Sequence, residues 1–295
     1  MYGLTIYADE ELNIIHQLEL DALKEIIRIC DKLKINYFLI DGAAIGAMRH
    51  KGFIPWDDDI DIGMTREDYQ RFLLEAPALL SDKYYLQTPY NETKNPYFYA
   101  KLRINGTEFV EYCNRKLDIH HGIYIDLCPF DEVPDEEKLN KKQFRRCQLL
   151  IRLFVLRQSP ELSAEPTSPK RHLLAAVRFV LHHVMRLVPY QLLATAIERE
   201  TTKYNGTDQT AYSFLHYPKR KTDYILKSEL FPLKKRVFDG ISVNVPADCD
   251  AYLRRHYGDY TKWPEPEKRY GHKPYRINLG HEMESLLGGD ITGSE

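Results

Sequence analysis

Residues 54–64 read IPWDDDIDIGM, and four carboxylates, Asp57, Asp58, Asp59 and Asp61, fall within five positions of one another. Like charges so close repel, so their concentration needs a physical reason. The second half of the stretch alternates. Asp59 and Asp61 fall on one side of an extended chain, and Ile60 and Ile62 on the other. That predicts a β-strand whose apolar face enters a core while two acids project together. Magnesium suits this geometry, because it takes one or two carboxylates and leaves positions for water and substrate phosphates. Manganese accepts the same hard donors. A cation would also offset the repulsion between the acids.

A second candidate strand, GIYIDL at 122–127, carries the lone acid Asp126 between apolar neighbours. If it lies beside the first, Asp126 completes a triad. Two acids from one strand and a third from a neighbour form a layout for phosphoryl and nucleotidyl transfer. Asp59, Asp61 and Asp126 are therefore the expected metal ligands and catalytic residues. A solvated acidic turn would not interleave Trp56, Ile60, Ile62 and Met64. A calcium loop would use Asp57, Asp59, Asp61 and Asp68, but Ile62 stands where it needs glycine and Asp68 where it favours glutamate. Asp126 alone could also be a buried, hydrogen-bonded aspartate.

Upstream, LIDGAAIGAMRHKGFIP (39–55) reads as strand, glycine turn and helix. Gly42 would let the backbone approach a phosphate, and the helix start would offer free N–H groups. Arg49, His50 and Lys51 form a compact basic cluster suited to a diphosphate; a basic helix end favoured by the macrodipole is the alternative.

The remaining sequence bounds these readings. The chain has 295 residues, room for one large domain or two modest ones. Apolar residues make up 43% and charged ones 28%, as in soluble globular proteins. The net charge of −2 gives no global basic field, which argues against nucleic acid as a partner. Five scattered cysteines without a C-x-x-C pair argue against a zinc or disulfide framework and fit a reducing cytoplasm. The start, MYGLTIYADEEL, has no signal-peptide pattern, and no stretch has the length of a membrane span. The 21 tyrosines lean toward a sugar or quaternary ammonium ligand.

Periodicity predicts helices at 9–34, 65–80, 135–158, 171–200 and 247–257. Strands are predicted at 36–40, 59–64, 97–104, 107–112 and 122–130, with hairpins at Asn105-Gly106 and Asp239-Gly240. Thr65 is the expected N-cap of its helix. The organisation is α+β, a mixed sheet flanked by helices with a helical insert. The expected division is 1–134 catalytic core, 135–222 helical insert, and 223–295 a segment returning to complete the substrate site.

The stretches DGAAIGAMRHKGFIPWDDDIDIGM, YAKLRINGTEFVE, HHGIYIDLCPFDEVP, FPLKKRVFDG and YGDYTKWPEPEKRYGHKP together resemble the LicD family. These are bacterial phosphocholine transferases of cell-surface glycans such as teichoic acid or lipopolysaccharide, related to the fukutin-related ribitol-phosphate transferases. The resemblance implies a nucleotidyltransferase-like fold and a CDP-choline or CDP-alditol donor. It also implies transfer of the phospho-alcohol to a sugar hydroxyl of a glycan or lipid-linked glycan, with CMP released. It places metal ligation at Asp59, Asp61 and Asp126 and phosphate handling near Gly42. One departure is Ala43, where nucleotidyltransferases usually follow the glycine with Ser or Thr.

Asp57 and Asp58 are expected to orient a ligand or accept a proton, with Asp58 among the substrate-binding residues. Lys101 and Arg103 share a strand face and could neutralise the diphosphate; a solvent-exposed sheet face is the alternative. His121, Arg269 and His272 are further candidate substrate contacts. In 172–197, Arg178, His182 and Arg186 form a basic stripe on an apolar helix. The common outcome is a helix packed in the insert with one wet face. Peripheral membrane contact, at the inner face, is the other. Rival functions are a nucleotidyltransferase releasing pyrophosphate from an NTP, and a silent ligand-binding homologue.

Overall fold

A computed structural model describes residues 9–216, 224–269, 271–272 and 274–280. The first amphipathic stretch is helix α1 (Asp9–Leu33), whose Ile15, Ala22, Ile26 and Cys30 are fully buried. The next elements are strand β1 (Phe38–Leu39) and helix α2 (Asp41–Ile45), which runs into a π-turn at Gly46–His50. The alternating segment is β2 (Ile60–Thr65). Helix α3 (Arg66–Glu75) starts where Thr65 caps it, accepting from the Asp68 N–H. Strands β3 (Tyr84–Gln87), β4 (Ala100–Ile104), β5 (Glu108–Val110) and β6 (Tyr124–Val133) follow.

The main sheet has the order β1-β2-β6-β4-β3. Its central pair, β2 and β6, is parallel, and β1, β4 and β3 join antiparallel. The fold is therefore α+β with a mixed sheet. Ile60, Ile62, Ile125 and Leu127 are all fully buried in one core, against which α1 and α3 pack. The opposite side of the same strands carries the acids.

Three helices follow: α4 (Glu137–Gln158), α5 (Pro169–Met185) and α6 (Tyr190–Thr201). The single helix expected over 171–200 is thus two, bent by 96°. Pro189 stands at the break, because proline cannot donate to the preceding turn. A small core of its own, built on Phe98, Phe154, Leu193 and Ile197, joins α4 and α6 to the β4 approach. Strand β7 (Ala211–Ser213), inside the expected insert, pairs with the far end of β6 and with β8 (Tyr224–Leu226).

Short helix α7 (Lys227–Leu230), hairpin β9 (Lys234–Phe238)–β10 (Ile241–Val245), helix α8 (Cys249–Tyr257) and strand β11 (Arg276–Asn278) follow among the described residues. The β9–β10 turn uses Asp239 and Gly240, both at positive φ, as a tight hairpin requires. The expected Asn105-Gly106 hairpin does not form as a strand pair. Gly106 makes a turn, but β4 pairs with β3 and β6 while β5 pairs with β11. A strand brought from the far end of the chain took the edge that local spacing assigned to a neighbour.

Candidate functional site

The parallel register of β2 and β6 sets Asp61 directly opposite Asp126. The antiparallel register of β6 and β4 sets Asp126 opposite Lys101. One row across the sheet therefore reads acid, acid, ammonium. Lys101, almost fully buried, donates from Nζ to Asp126 Oδ1 at 2.5 Å. Its ammonium also sits over the rings of Tyr124 (3.5 Å to the centroid), Tyr97 (4.4 Å) and Tyr99 (5.4 Å). Tyr99 OH donates to Asp126 Oδ2 at 3.2 Å. These tyrosines form an aromatic box of the kind expected for a quaternary ammonium, and the protein's own cation fills it.

This row opens into a cavity of about 860 Å³. Asp41, Gly42, Asp57, Asp59, Asp61, Asp126, Lys101 and His272 line it on the acid side. Phe98, Phe130, Phe214, His216, Arg178 and residues of α4 line the other side. Asp59 immediately precedes β2 and faces the same space. Gly42 is needed for a close approach: a Cβ there would overlap Asp57 Oδ2. A carboxylate thus lies against the turn where a phosphate was expected.

The closest trio of potential ligands among the described residues is Asp58, Asp59 and His272, with donor atoms within 4.8 Å of one another. Asp58 is buried, and its Oδ1 accepts from the His272 N–H (2.8 Å) and lies 3.1 Å from Nδ1. His272 Nδ1 is also 3.6 Å from Asp59 Oδ2. Gly271 allows the backbone to come this close, since a Cβ would collide with the Asp58 carboxylate.

The electrostatics express a shortage of positive charge. Burial, with the charge of Asp58 and Asp126 against the relief of His272 and Lys101, pushes the Asp59 carboxyl up to about 6. Burial first, and then the neighbouring acids, also hold Asp57 and Asp61 well above the usual carboxylate range. The hydrogen bond to Asp58 raises His272 to about 10. The expected ligands Asp59, Asp61 and Asp126 line this one cavity but are not drawn together as tightly as Asp58, Asp59 and His272; carboxylate oxygens are the donor type that magnesium and manganese take.

Not every expected contact reaches the cavity. Arg49 donates to the carbonyls of Tyr260 (2.5 Å) and Lys262 (3.2 Å), and to His50 Nε2 (2.8 Å). His50 packs edge-on to Trp263, and Lys51 is an exposed residue at positive φ that ends the π-turn. The basic cluster ties the C-terminal segment down instead of facing the acids. Arg103 is buried behind Tyr124, donating to Gln87 Oε1 (2.9 Å) and Gly122 O (2.8 Å). It shares a face with Lys101 as expected, but that face is not exposed to solvent. His121 Nε2 bonds with Leu117 O (3.0 Å), and Arg269 lies over Trp56 and Trp263. None of these lines the cavity. Tyr270 and Lys273 of the YGHK stretch lie outside the described residues.

Sequence reasoning missed Asp41, Glu111 and the α8 face. Asp41 adopts φ 45°, accepts from Tyr257 OH at 2.6 Å and lies 3.5 Å from His256 Nδ1. Glu111 lines the cavity and accepts from Tyr97 OH and from Asn114 Nδ2 (2.9 Å). The Asp41-Gly42 pair carried a turn signal; Glu111 and α8 carried none.

Residues 34–148 match the family model described as "LicD/FKTN/FKRP, nucleotidyltransferase domain". Over 253 residues the chain is 27% identical to the lipopolysaccharide cholinephosphotransferase LicD of Haemophilus influenzae, covering 84% of this chain and 89% of that protein. Shorter likenesses join it to uncharacterised proteins of Rickettsia typhi (42% over 50 residues, 17% of this chain and 16% of that protein) and Rickettsia prowazekii (44% over 46 residues, 16% and 17%).

Proposed function

We propose, from the match of residues 34–148 to the LicD/FKTN/FKRP nucleotidyltransferase model and the likeness to LicD of Haemophilus influenzae, that the chain is a phosphotransferase moving phosphocholine, or a related phospho-alcohol, from a CDP-linked donor to a sugar hydroxyl of a surface glycan or its lipid-linked precursor. The relative in Haemophilus influenzae, named for cholinephosphate transfer to lipopolysaccharide, supports this substrate class. The observation that carries the reading is the row Asp61–Asp126–Lys101 at the floor of a large cavity.

In the reaction, the acceptor oxygen bonds to the phosphorus bearing the alcohol. The bond from that phosphorus to CMP breaks, and the acceptor proton passes to a carboxylate. Asp59, Asp61 and Asp126 are the residues that would hold magnesium or manganese, which when bound polarises phosphoryl oxygens and acidifies a hydroxyl. Lys101 fixes the Asp126 carboxylate against rotation and places one positive charge beside the phosphates. Asp58 is committed to His272, so it positions that segment. Asp57 faces the cavity and is the carboxylate we assign to accept the proton. His272 and Tyr257, from the C-terminal segment, line the acid side of the cavity.

Incubation with magnesium and a panel of CDP-alcohols, read by mass spectrometry for CMP and for the phospho-alcohol adduct of a glycan acceptor, tests the proposal. CMP release with adduct formation, lost in Asp61→Asn, is expected. Release of pyrophosphate from an NTP in its place would assign the chain to nucleotidyl transfer.

A further inference from the structure

Helix α5 is built inside out. Two of its polar residues turn toward the protein: Arg178 Nη2 donates to Ser159 O at 3.1 Å, and buried His182 bonds through Nδ1 with Leu156 O at 2.8 Å. Its large apolar residues turn outward. Leu173, Leu174, Phe179, Val180 and Val184 are each more than half exposed, and Leu187 just beyond the helix is 82% exposed. A helix on the wet surface of a globular protein shows the reverse pattern. Exposed apolar side chains in one contiguous stretch mark an interaction surface.

The charge identifies the partner. From Pro166 to Ile197 the sequence contains no Asp or Glu, while Lys170, Arg171, Arg178 and Arg186 are present. Lys170 and Arg186 are exposed at the two ends of the helix. Pairing with a second copy would bring two acid-free, cationic faces together with nothing on either segment to neutralise them. An anionic surface has no such cost. No single helix among the described residues is long and apolar enough to cross a membrane. Helices α5 and α6 reach that composition only together, across a 96° bend. Helix α6 also commits Leu193, Ala194 and Ile197 to the core against α4.

We propose that α5 lies flat on an anionic bilayer surface, its apolar side at the level of the acyl-chain boundary and Lys170 and Arg186 among the headgroups. Its inner side, through Arg178, is a wall of the cavity. The helix therefore sets the cavity beside the membrane, where an acceptor carried on a lipid would be presented. The proposal does not depend on the transferase reading, because membrane binding needs no donor.

The test is flotation of the full chain with phosphatidylcholine vesicles, with and without phosphatidylglycerol. Binding to the anionic vesicles alone is expected. The double change Phe179→Asp, Val180→Asp should weaken it by more than about tenfold. Lys170→Gln and Arg186→Gln should each cost roughly fivefold. The circular dichroism and thermal midpoint should stay unchanged, because these side chains make the outer surface. Absence of flotation, or flotation indifferent to all these changes, overturns the proposal. So does a dimer by light scattering that Phe179→Asp abolishes while vesicles are ignored, which would make α5 a protein interface.

Discussion

Asp61 and Asp126 occupy the same register position on two adjacent parallel strands, yet their surroundings differ. Asp126 is bonded to the Lys101 ammonium, whereas burial and neighbouring carboxylates raise the pKa of Asp61. The same isosteric change should therefore have opposite effects on stability at the two positions. Asp61→Asn removes a repelling charge and should raise the midpoint of urea unfolding at neutral pH without divalent ions. Asp126→Asn leaves a buried ammonium unpaired and should cost about 3 kcal/mol. Both should reduce CMP release by more than roughly a hundredfold.

Stability should depend on pH in a direction set by the raised carboxyls. Asp59, held at about 6, binds its proton more tightly folded than unfolded. Its contribution is complete below about pH 4 and is lost as pH rises through about 6. Asp57 and Asp61 shift in the same direction and extend the loss to higher pH. Thermal unfolding without divalent ions should show higher stability near pH 5 than near pH 7.5. If the acids hold magnesium, its addition should raise the midpoint more at the higher pH.

Lys101 offers a test of the aromatic box. Lys101→Met should lose activity by about two orders of magnitude and destabilise the fold, because Asp126 loses its partner. Lys101→Arg keeps the charge but puts a planar fork where three tyrosine rings enclose a compact ammonium, and should not restore turnover. Steady-state CMP release and urea denaturation measure the two effects.

Arg103 should separate stability from catalysis. Arg103→Met breaks buried bonds to Gln87 and Gly122 outside the cavity lining, and should cost on the order of 2–4 kcal/mol. At a temperature where the variant is folded, KM for the CDP-alcohol should be unchanged. A raised KM would place Arg103 in donor binding after all.

Gly42→Ala should be harmful on its own and tolerated when Asp57 is shortened. The new methyl overlaps the Asp57 carboxylate, so the single change should cost about 1–3 kcal/mol. Combined with Asp57→Ala, most of that loss should disappear, giving a non-additive cycle in denaturation experiments.

The site divides by how its parts are held. The alternation in DIDI and the lone acid of GIYIDL were legible because a strand has period two, and each acid announced its own face. That the two strands are neighbours was a conjecture in the sequence and is a register in the fold. The basic cluster misled because charge alone does not say which partner it meets: Arg49 meets the carbonyls of Tyr260 and Lys262, more than two hundred residues away. The 105–106 hairpin misled for the same reason, since β11 competes for β5 from the other end of the chain. Helix α5 was read correctly as amphipathic, but its periodicity does not say which face turns inward.

The bond between Asp58 and His272 has a consequence for synthesis. Asp57, Asp58, Asp59, Asp61 and Asp126 are all translated by residue 126, yet the segment that binds Asp58 is translated nearly one hundred and fifty residues later. During translation the growing polypeptide must carry a bare, mutually repelling carboxylate cluster through the emergence of the whole helical region. Domains fold as they are made, N-terminal part first. A nascent intermediate should therefore hold a formed sheet with an open acid face, and shielding by ions in the surrounding medium would matter most before the polypeptide is released.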